Sequence, residues 1–446
     1  MKKFIQTLKN IWSIEELKQK IVYTILLLIA YRIGSFVVLP GIDAQILSEK
    51  QADATGITAL INVFAGGAFS RASIFALGIM PYISASIVIQ ILTIAVPTLA
   101  RLQKDGESGR KKLNQYTRFL TIVVTLFQAP GYILSQIPEA AKLEPNSQLW
   151  WVSTIIILVA GTMFVLWLGE RITDRGIGNG VSLIIAVGII ARFPEAILSE
   201  FDTKISANTG GGLVLFLVEM VALFLVVVLN IMLVQGVRKI QVQFAKRVVG
   251  TNDVNGARQY IPLKVNASGV MPIIFAQAIM FLPAAISGVT DSKTLNSIAT
   301  ALMDYTGFWH NLIFATLIIA FTYFYTAIMI NPKNMADDMK RNNGFIPGVK
   351  PGDDTATFID QIMSFITLPG ALFLALIAIL PAFASLAGVS GKFAAFYGGT
   401  SLLILVGVVL DTLQQIESYL LVRHYDGLMK EGRVQGRTAD KEAISI

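Results

Sequence analysis

The chain contains no cysteine and only two histidines among its 446 residues. Without cysteine there is no disulfide framework and no thiolate to act as a nucleophile or metal ligand. The histidines, His310 and His424, fall on opposite sides of the predicted membrane topology, so they cannot share a metal ion. No Ser–His–Asp or paired-carboxylate arrangement is recognisable. We therefore expect no enzymatic activity, no metal site and no cofactor.

Charge is also scarce, because only 15% of the residues are charged while 54% are hydrophobic. Soluble domains carry about 25% charged residues. Lipid cannot satisfy backbone polar groups, so long apolar runs must cross a membrane as helices of roughly 20 residues. The expected fold class is an all-α polytopic membrane protein. Ten candidate spans lie at about 21–39, 74–96, 119–137, 151–168, 181–198, 212–234, 269–288, 309–330, 365–385 and 398–420.

Lysine and arginine are distributed unevenly between the two sides of this topology. If the N-terminus is cytoplasmic, the inner segments hold 28 of the 36 basic residues and the outer segments hold 7. The positive-inside rule therefore predicts ten spans with both termini in the cytoplasm. Residues 421–446 form a cytoplasmic tail, and residues 1–20 are predicted to form an amphipathic helix on the membrane surface rather than a cleaved signal. Its apolar side would consist of Phe4, Ile5, Leu8, Ile11 and Trp12.

Ten spans divide into two halves of five, residues 21–200 and 201–420, with opposite topologies and a pseudo-twofold axis in the membrane plane. Spans 2 and 7 then correspond, as do spans 5 and 10. All four begin with small or polar residues, in AGGAFSRAS, VNASGVMP, RGIGNGVS and FYGGTS. Such residues are typical of an interior path, and equally of closely packed membrane helices. Ser84 and Gln90 in span 2 favour the path, because neither suits a lipid-facing position.

Ionisable residues within the spans are few. Arg32, Glu219, Asp411 and Glu417 are isolated in sequence, and no single span carries a cluster of them. Ion-coupled transporters usually keep such groups deep in the bilayer as a relay. This scarcity argues against a secondary solute transporter, which inverted repeats would otherwise also suit. A non-conducting membrane scaffold is a further alternative.

Two cytoplasmic loops, at 235–264 and 331–361, are unusually long. The alternation in KIQVQFA predicts a strand, and we expect a hairpin with VNGA at its tip. The loops are basic and could dock an acidic protein surface or ribosomal RNA. The alternative is that these charges only set the topology. The candidate docking residues are Arg238, Lys239, Lys246, Arg247, Lys340, Arg341 and Lys350.

Several long motifs, in order along nearly the whole chain, resemble the SecY family of bacterial protein-conducting channels. They are GGAFSRASIFALGIMPYISASIVIQIL, KDGESGRKKLNQYTR, GTMFVLWLGERITDRGIGNGVS, IPLKVNASGVMPIIFA, NPKNMADDMK, GFIPGVKPG and GGTSLLILVGVVLD. The resemblance implies that the chain passes secretory proteins across the membrane and releases hydrophobic segments sideways into lipid. It implies the partners SecE and SecG, the motor ATPase SecA, translating ribosomes, signal peptides and nascent chains. It also implies a bacterial cytoplasmic (inner) membrane.

The same resemblance implies three groups of site residues. A re-entrant plug at about 57–71 would close the outer funnel. A ring of branched apolar side chains would close the waist by excluding water. A lateral gate would lie between spans 2 and 7. The plug residues are Phe64, Gly66, Gly67, Phe69 and Arg71, the ring residues are Ile79, Ile83, Val181, Ile185, Ile274 and Ile404, and the gate residues are Ser84, Ser86, Gln90 and Gln277.

Two positions depart from the family pattern. Val181 stands where the family often has Ile, a loss of one methylene that the ring should tolerate. Lys350 stands in GVKPG where an arginine is expected. Lysine keeps the charge but cannot make the planar bidentate contacts of arginine. The 235–264 loop resembles the family only in its basic character.

Overall fold

The computed structural model describes residue 12 and residues 14–43, 45–47, 62, 65–143, 147–206, 212–244, 247–249, 252–254, 258–280, 304 and 306–430. Most of the described chain is helical, as a membrane-spanning protein requires. The first half contains α1 (Glu15–Gly34), α2 (Met80–Ala95), α3 (Pro97–Lys104), α4 (Gly106–Gln136), α5 (Gln148–Arg175) and α6 (Gly180–Ser206).

The second half mixes helices with short strands on its two long loops. In chain order it contains α7 (Gly212–Gln235), β1 (Val237–Phe244), β2 (Arg247–Val249), β3 (Asn252–Val254), β4 (Arg258–Lys264), α8 (Met271–Met280), α9 (Phe308–Met329), α10 (Pro332–Arg341), β5 (Gly344–Phe345), α11 (Asp353–Leu386), α12 (Gly391–Ala394) and α13 (Gly399–Lys430).

Seven of the described helices are long and apolar enough to cross a membrane, or eight if the bent pair α2 and α3 is one span. The chain turns by 106° between these two helices, where Pro97 opens α3. The two other predicted spans match α1, which carries charge at both ends, and α8, of which ten residues are described. The observed helices are consistent with ten spans, and the count itself stays a prediction.

Span 2 begins later than its sequence predicts. Residues 74–79 form tight turns, and the helix starts only at Met80. Gly78 adopts φ +54°, a left-handed conformation that interrupts a helix, and its N–H donates to the carbonyl of Phe75 at 2.9 Å. The turns are fixed from outside, since Leu39 N–H donates to Ala72 O at 2.8 Å and Ile74 N–H to Val37 O at 2.9 Å. A hydrophobic run alone cannot reveal these contacts.

The two long loops meet in one small sheet. β1 pairs antiparallel with β4 on one side and with β5 on the other, so the 235–264 and 331–361 loops share a three-stranded sheet. The predicted strand in KIQVQFA is confirmed. Its predicted tip at VNGA is wrong, because β2 and β3 pair with each other and the chain reverses between Val249 and Asn252. Residues 255–257 of that motif lie outside the described residues.

The two halves pack together through their inner helices. α6 of the first half packs against α7 and α13 of the second half. A large apolar cluster joins residues of α5 and α6 in the first half to residues of α12 and α13 in the second. Burial of such branched and aromatic side chains against one another fixes the relative positions of the helix starts, where the candidate site lies.

Candidate functional site

The six candidate ring residues lie together in the large apolar cluster, although they come from four separate parts of the chain. Ile79 directly precedes α2, Ile83 lies one turn later, and the others are on α6, α8 and α13. Branched side chains that converge from both halves leave little room for water between them. The cluster contains Ile79, Ile185 and Ile404, and Ile83, Val181 and Ile274 pack against it.

Of the predicted plug, the structure describes Asn62 and residues 65–71, and Phe64 lies outside the described residues. Gly66 and Gly67 both have positive φ, +60° and +85°, which favours glycine at both positions. A Cβ on Gly66 would lie 2.9 Å from the Cα of Gly188 on α6, so the backbones approach closely there. The glycine pair therefore allows this segment to turn tightly against α6.

The remainder of the segment is held by aromatic and basic side chains. Phe69 is buried, and its ring packs edge-on against Tyr132 of α4 with the ring centroids 4.9 Å apart. The Tyr132 hydroxyl donates to the carbonyl of Phe69 at 2.6 Å. Arg71 is half-buried and donates to the carbonyls of Gly66 and Gly67, both at 3.1 Å. The described part of the plug is thus tied to the first half of the chain.

One polar contact connects α2 to the second half at the expected lateral gate. The Tyr325 hydroxyl of α9 donates to Gln90 Oε1 at 3.1 Å, while Gln90 Nε2 donates to Ser86 Oγ at 3.3 Å. Around it, Ile87, Phe275 and the Tyr325 ring form a small apolar cluster. Tyr325 was not foreseen from the sequence. A tyrosine within an apolar run is too common for the sequence alone to indicate that Tyr325 has this role.

The structure gives less support to the other two gate candidates, Ser84 and Gln277. The Ser84 hydroxyl donates to Met80 O at 3.2 Å, within its own helix, which is the usual way for a serine to satisfy its hydroxyl in a membrane helix. Gln277 lies on α8 and is half-buried. Of the four predicted residues, Ser86 and Gln90 are the two that take part in the side-chain network reaching Tyr325.

A buried charge cluster links α6 to α7, although the sequence predicts no cluster of ionisable residues within a span. Lys204 Nζ lies 2.9 Å from Glu219 Oε1 and 3.5 Å from Glu200 Oε1. The prediction did not include it because α6 extends to Ser206, past the predicted end of span 5, and carries Glu200 and Lys204 against Glu219 of α7. The Glu200 side chain is 0% exposed and that of Glu219 is 8% exposed.

Backbone groups complete this cluster. Lys204 also donates to Gly388 O at 2.8 Å, and Glu200 Oε2 accepts the Ser390 N–H at 3.0 Å. The Tyr397 hydroxyl donates to the carbonyl of Glu219. The cluster therefore joins α6, α7 and the segment around α12, next to the connection between the halves. Apart from the ion pairs, Glu200 Oε1 and Glu219 Oε2 are buried without a hydrogen bond from the described residues. The other groups link three segments of the chain, which is typical of a structural tie.

The basic docking candidates lie in the 235–264 and 331–361 loops, on their strands, on α10 and, for Lys350, in the segment between β5 and α11. Lys246 is outside the described residues, and Arg247 begins β2, but its side chain is not described. Beneath these loops Ile240, Val242 and Ile346 belong to one apolar cluster that also includes residues of α10 and α11. The two loops therefore pack together as one unit. The described candidates, all exposed, are Arg238, Lys239, Lys340, Arg341 and Lys350.

The chain is similar over most of its length to known proteins. The SecY family model matches residues 73–413. The chain is 39% identical to the protein translocase subunit SecY of Thermotoga maritima, covering 97% of this chain and 99% of that protein. It is 42% identical to the subunit of the same name in Escherichia coli K12, covering 94% and 96%.

Solved structures with the same fold include a protein-conducting channel, at TM-score 0.61 and 17% identity, with 95% of both chains covered. Sec61 in a canine ribosome–channel complex matches at TM-score 0.57 and 16% identity, with the same coverage. These likenesses concern the fold, and the sequence relatives establish the family. Because the family model and relatives at about 40% identity both span most of the chain, it belongs to the SecY family.

Proposed function

We infer that the chain is a protein-conducting channel, which passes unfolded secretory proteins across the membrane and releases hydrophobic segments laterally into lipid. The observation that carries this is the convergence of branched apolar side chains from α2, α6, α8 and α13 in one cluster. Apolar side chains exclude water and ions at a closed waist. They make no hydrogen bonds to a passing chain, so they cannot select its sequence.

Lateral release requires the two halves to separate along α2 and α8. The seam there is mainly apolar, with Ile87 and Phe275 in one cluster. A hydrophobic signal helix placed between them would exchange one apolar contact for another. Its binding opens the seam only if it favours the open state over the closed one.

Photocrosslinking during translocation tests this path. We would place a photoreactive residue at Ile83, and separately at Ile274, and stall a secretory chain in native membranes. Crosslinks from both positions to the same chain are expected. Val221 of α7, which is 67% exposed, is the matched control and should crosslink to lipid or neighbouring subunits. Folded protein that crosslinks from neither Ile83 nor Ile274 would contradict the proposed path.

The proposed partners are the subunits SecE and SecG, the motor SecA and the translating ribosome. Two observations support a cytosolic partner: the basic loops form one packed unit, and a fold relative, the yeast Ssh1 complex, was solved on a ribosome. We place the chain in a bacterial cytoplasmic membrane with both termini inside, following the distribution of basic residues. We assign the energy source to these partners and no catalysis to this chain.

Charge reversal tests the docking surface. Arg247→Glu combined with Lys350→Glu should weaken binding of SecA or ribosomes to membranes that contain the variant. Lys392→Glu, exposed and predicted on the outer side, is the control and should bind normally. Normal binding by the double variant would refute the assignment of these two residues.

The rival function, a solute transporter, would use a buried charged site, and the Glu200–Lys204–Glu219 cluster is the candidate. Its groups bond one another and the backbone around Gly388 and Ser390. A substrate site instead presents groups that converge on an open cavity. The cluster therefore supports the transporter less than the apolar ring supports the channel.

A further inference from the structure

Three arginines from distant parts of the sequence converge on a single turn of the plug segment. Arg32 Nη1 donates to Gly66 O at 2.7 Å, and Arg71 Nη2 donates to the same oxygen at 3.1 Å. Arg192 Nη2 of α6 donates to Ser70 Oγ at 3.1 Å. The guanidinium groups of Arg32 and Arg71 also lie on the ring of Phe36, 4.7 and 4.1 Å from its centroid.

The positive charge of this cluster is poorly balanced. Among the described residues, Arg192 forms an ion pair with Glu195, 2.6 Å from its Nη1, whereas Arg32 and Arg71 form none. The Glu195 side chain is 56% exposed, so water screens much of its charge. The remaining partners, two carbonyls, a hydroxyl and an aromatic ring, are neutral. The cluster therefore carries a net charge of about +2 in a partly buried place.

The arginines lie close enough to repel one another. Because Arg32 and Arg71 donate to the same oxygen, their bonded nitrogens are at most about 6 Å apart, a distance at which like charges interact strongly in a partly buried site. Burial lowers the pKa of Arg71, and the charges of Arg192 and Arg32 lower it further. Arg192 Nε is buried and has no acceptor among the described residues. The surplus positive charge of the three guanidinium groups favours binding of an anion at this cluster.

We propose that this arginine cluster binds a small inorganic anion such as chloride, and that the anion holds residues 66–71 against α6 in the closed channel. The bound ion would accept from the spare guanidinium donors and offset their mutual repulsion. When the plug segment moves away, Arg71 leaves Arg32 and Arg192 together with Gly66 and Ser70, and the site is lost. Anion binding thus stabilises the closed state over the open one.

The space around the cluster favours a small ion over a headgroup. A Cβ on Gly67 would lie 2.3 Å from Arg192 Nη2, and one on Gly66 would lie 2.9 Å from Gly188 Cα. The turn therefore packs directly against Arg192 and α6, which excludes a headgroup between the two segments. Phe36 is 54% exposed and the Glu195 side chain 56% exposed, so an ion can approach the cluster from that side.

Thermal unfolding of the purified full-length chain, in detergent with zwitterionic lipid, tests this binding. When chloride replaces gluconate as the buffer anion at constant ionic strength, the thermal unfolding midpoint should rise in a saturable way, by about 2–4 °C. Arg192→Gln should abolish the chloride response. Arg118→Gln, which removes an arginine paired with Glu170 at 2.8 Å on the other side of the membrane, is the matched control and should retain it. Crystals grown in bromide should show an anomalous peak at the cluster.

Three results would overturn the proposal. The first is an unfolding midpoint that does not respond to chloride, together with no bromide at the cluster. The second is stabilisation by phosphatidylglycerol but not by chloride, which would assign the site to a lipid phosphate. The third concerns Asp53, an acid between the first two predicted spans that lies outside the described residues. A loss of stability in Asp53→Asn, without any chloride response in the unaltered chain, would assign the balancing charge to the chain itself. Binding is measured without translocation, so either outcome leaves the proposed channel function to its own crosslinking test.

Discussion

Tyr325 of α9 donates its hydroxyl to Gln90 of α2 across the seam between the halves, over a sequence separation of 235 residues. The Tyr325 ring also packs against Phe275 of α8, with the centroids 5.8 Å apart. The apolar contacts can be replaced by an entering hydrophobic helix, but the hydrogen bond cannot. This contact therefore favours the closed seam specifically.

Tyr325→Phe should ease lateral opening. The substitution keeps the ring and its packing on Phe275 and removes only the hydroxyl. A net hydrogen bond contributes about 1 kcal/mol, so the opening equilibrium should shift roughly fivefold. We expect secretory proteins with weakened signal sequences to be exported better. Tyr323→Phe, on a more exposed face of the same helix, is the control. Equal export by the unaltered chain, Tyr325→Phe and Tyr323→Phe would contradict the prediction.

A polar residue in the ring should make the closed channel leak. Ile83→Asn or Ile274→Asn places an amide in the apolar cluster, where an unpaired polar group costs about 1–3 kcal/mol and attracts water. We expect single-channel recordings in planar bilayers to show ion conductance in the absence of substrate. Ile83→Val, which keeps the branched apolar character, is the control. Conductance unchanged by the Asn variants would mean that this cluster does not form the seal.

Substitution of Gly67 should loosen the plug. Gly67→Ala combines a strained φ of +85° with a Cβ 2.3 Å from Arg192 Nη2. The strain alone costs about 1–2 kcal/mol, and the contact displaces Arg192 as well. We expect more ion leak and a lower unfolding midpoint. Gly106→Ala has similar strain, at φ +72°, but no atom within 4 Å, so it isolates the effect of the contact. The prediction fails if both variants leak equally.

Removal of Lys204 should destabilise the joint between the halves. Lys204→Met leaves Glu200 and Glu219 buried without their cation, and breaking a buried ion pair in this way costs about 3–5 kcal/mol. A large drop in the thermal unfolding midpoint is expected. Glu219→Gln keeps a hydrogen-bond acceptor for Lys204 and should cost less. Lys392→Met, at an exposed site, should leave the midpoint unchanged. Equal unfolding midpoints for Lys204→Met and Lys392→Met would show that the cluster contributes no stability.

Local physical chemistry made several features readable from the sequence. Apolar length and the scarcity of charge indicate membrane helices, because lipid demands them wherever the chain crosses. The strand in KIQVQFA was predictable because its alternation reflects a sheet with one buried face, and Ile240 and Val242 are indeed buried. The long motifs were sufficient to suggest the family. The candidate ring residues could be proposed on that basis, and they do lie in one apolar cluster.

Other features depend on contacts between residues far apart in sequence, and only the tertiary structure decides them. The hydropathy of residues 74–79 predicts a helix, yet backbone hydrogen bonds with Val37 and Leu39 hold the adjoining backbone in turns. Glu200, Lys204 and Glu219 look isolated until α6 and α7 pack together. Likewise, Arg32, Arg71 and Arg192 share one turn only because α1, the plug segment and α6 meet there. Hydropathy is local to each segment, whereas pairing of charges and hydrogen bonds depends on which segments the fold brings together.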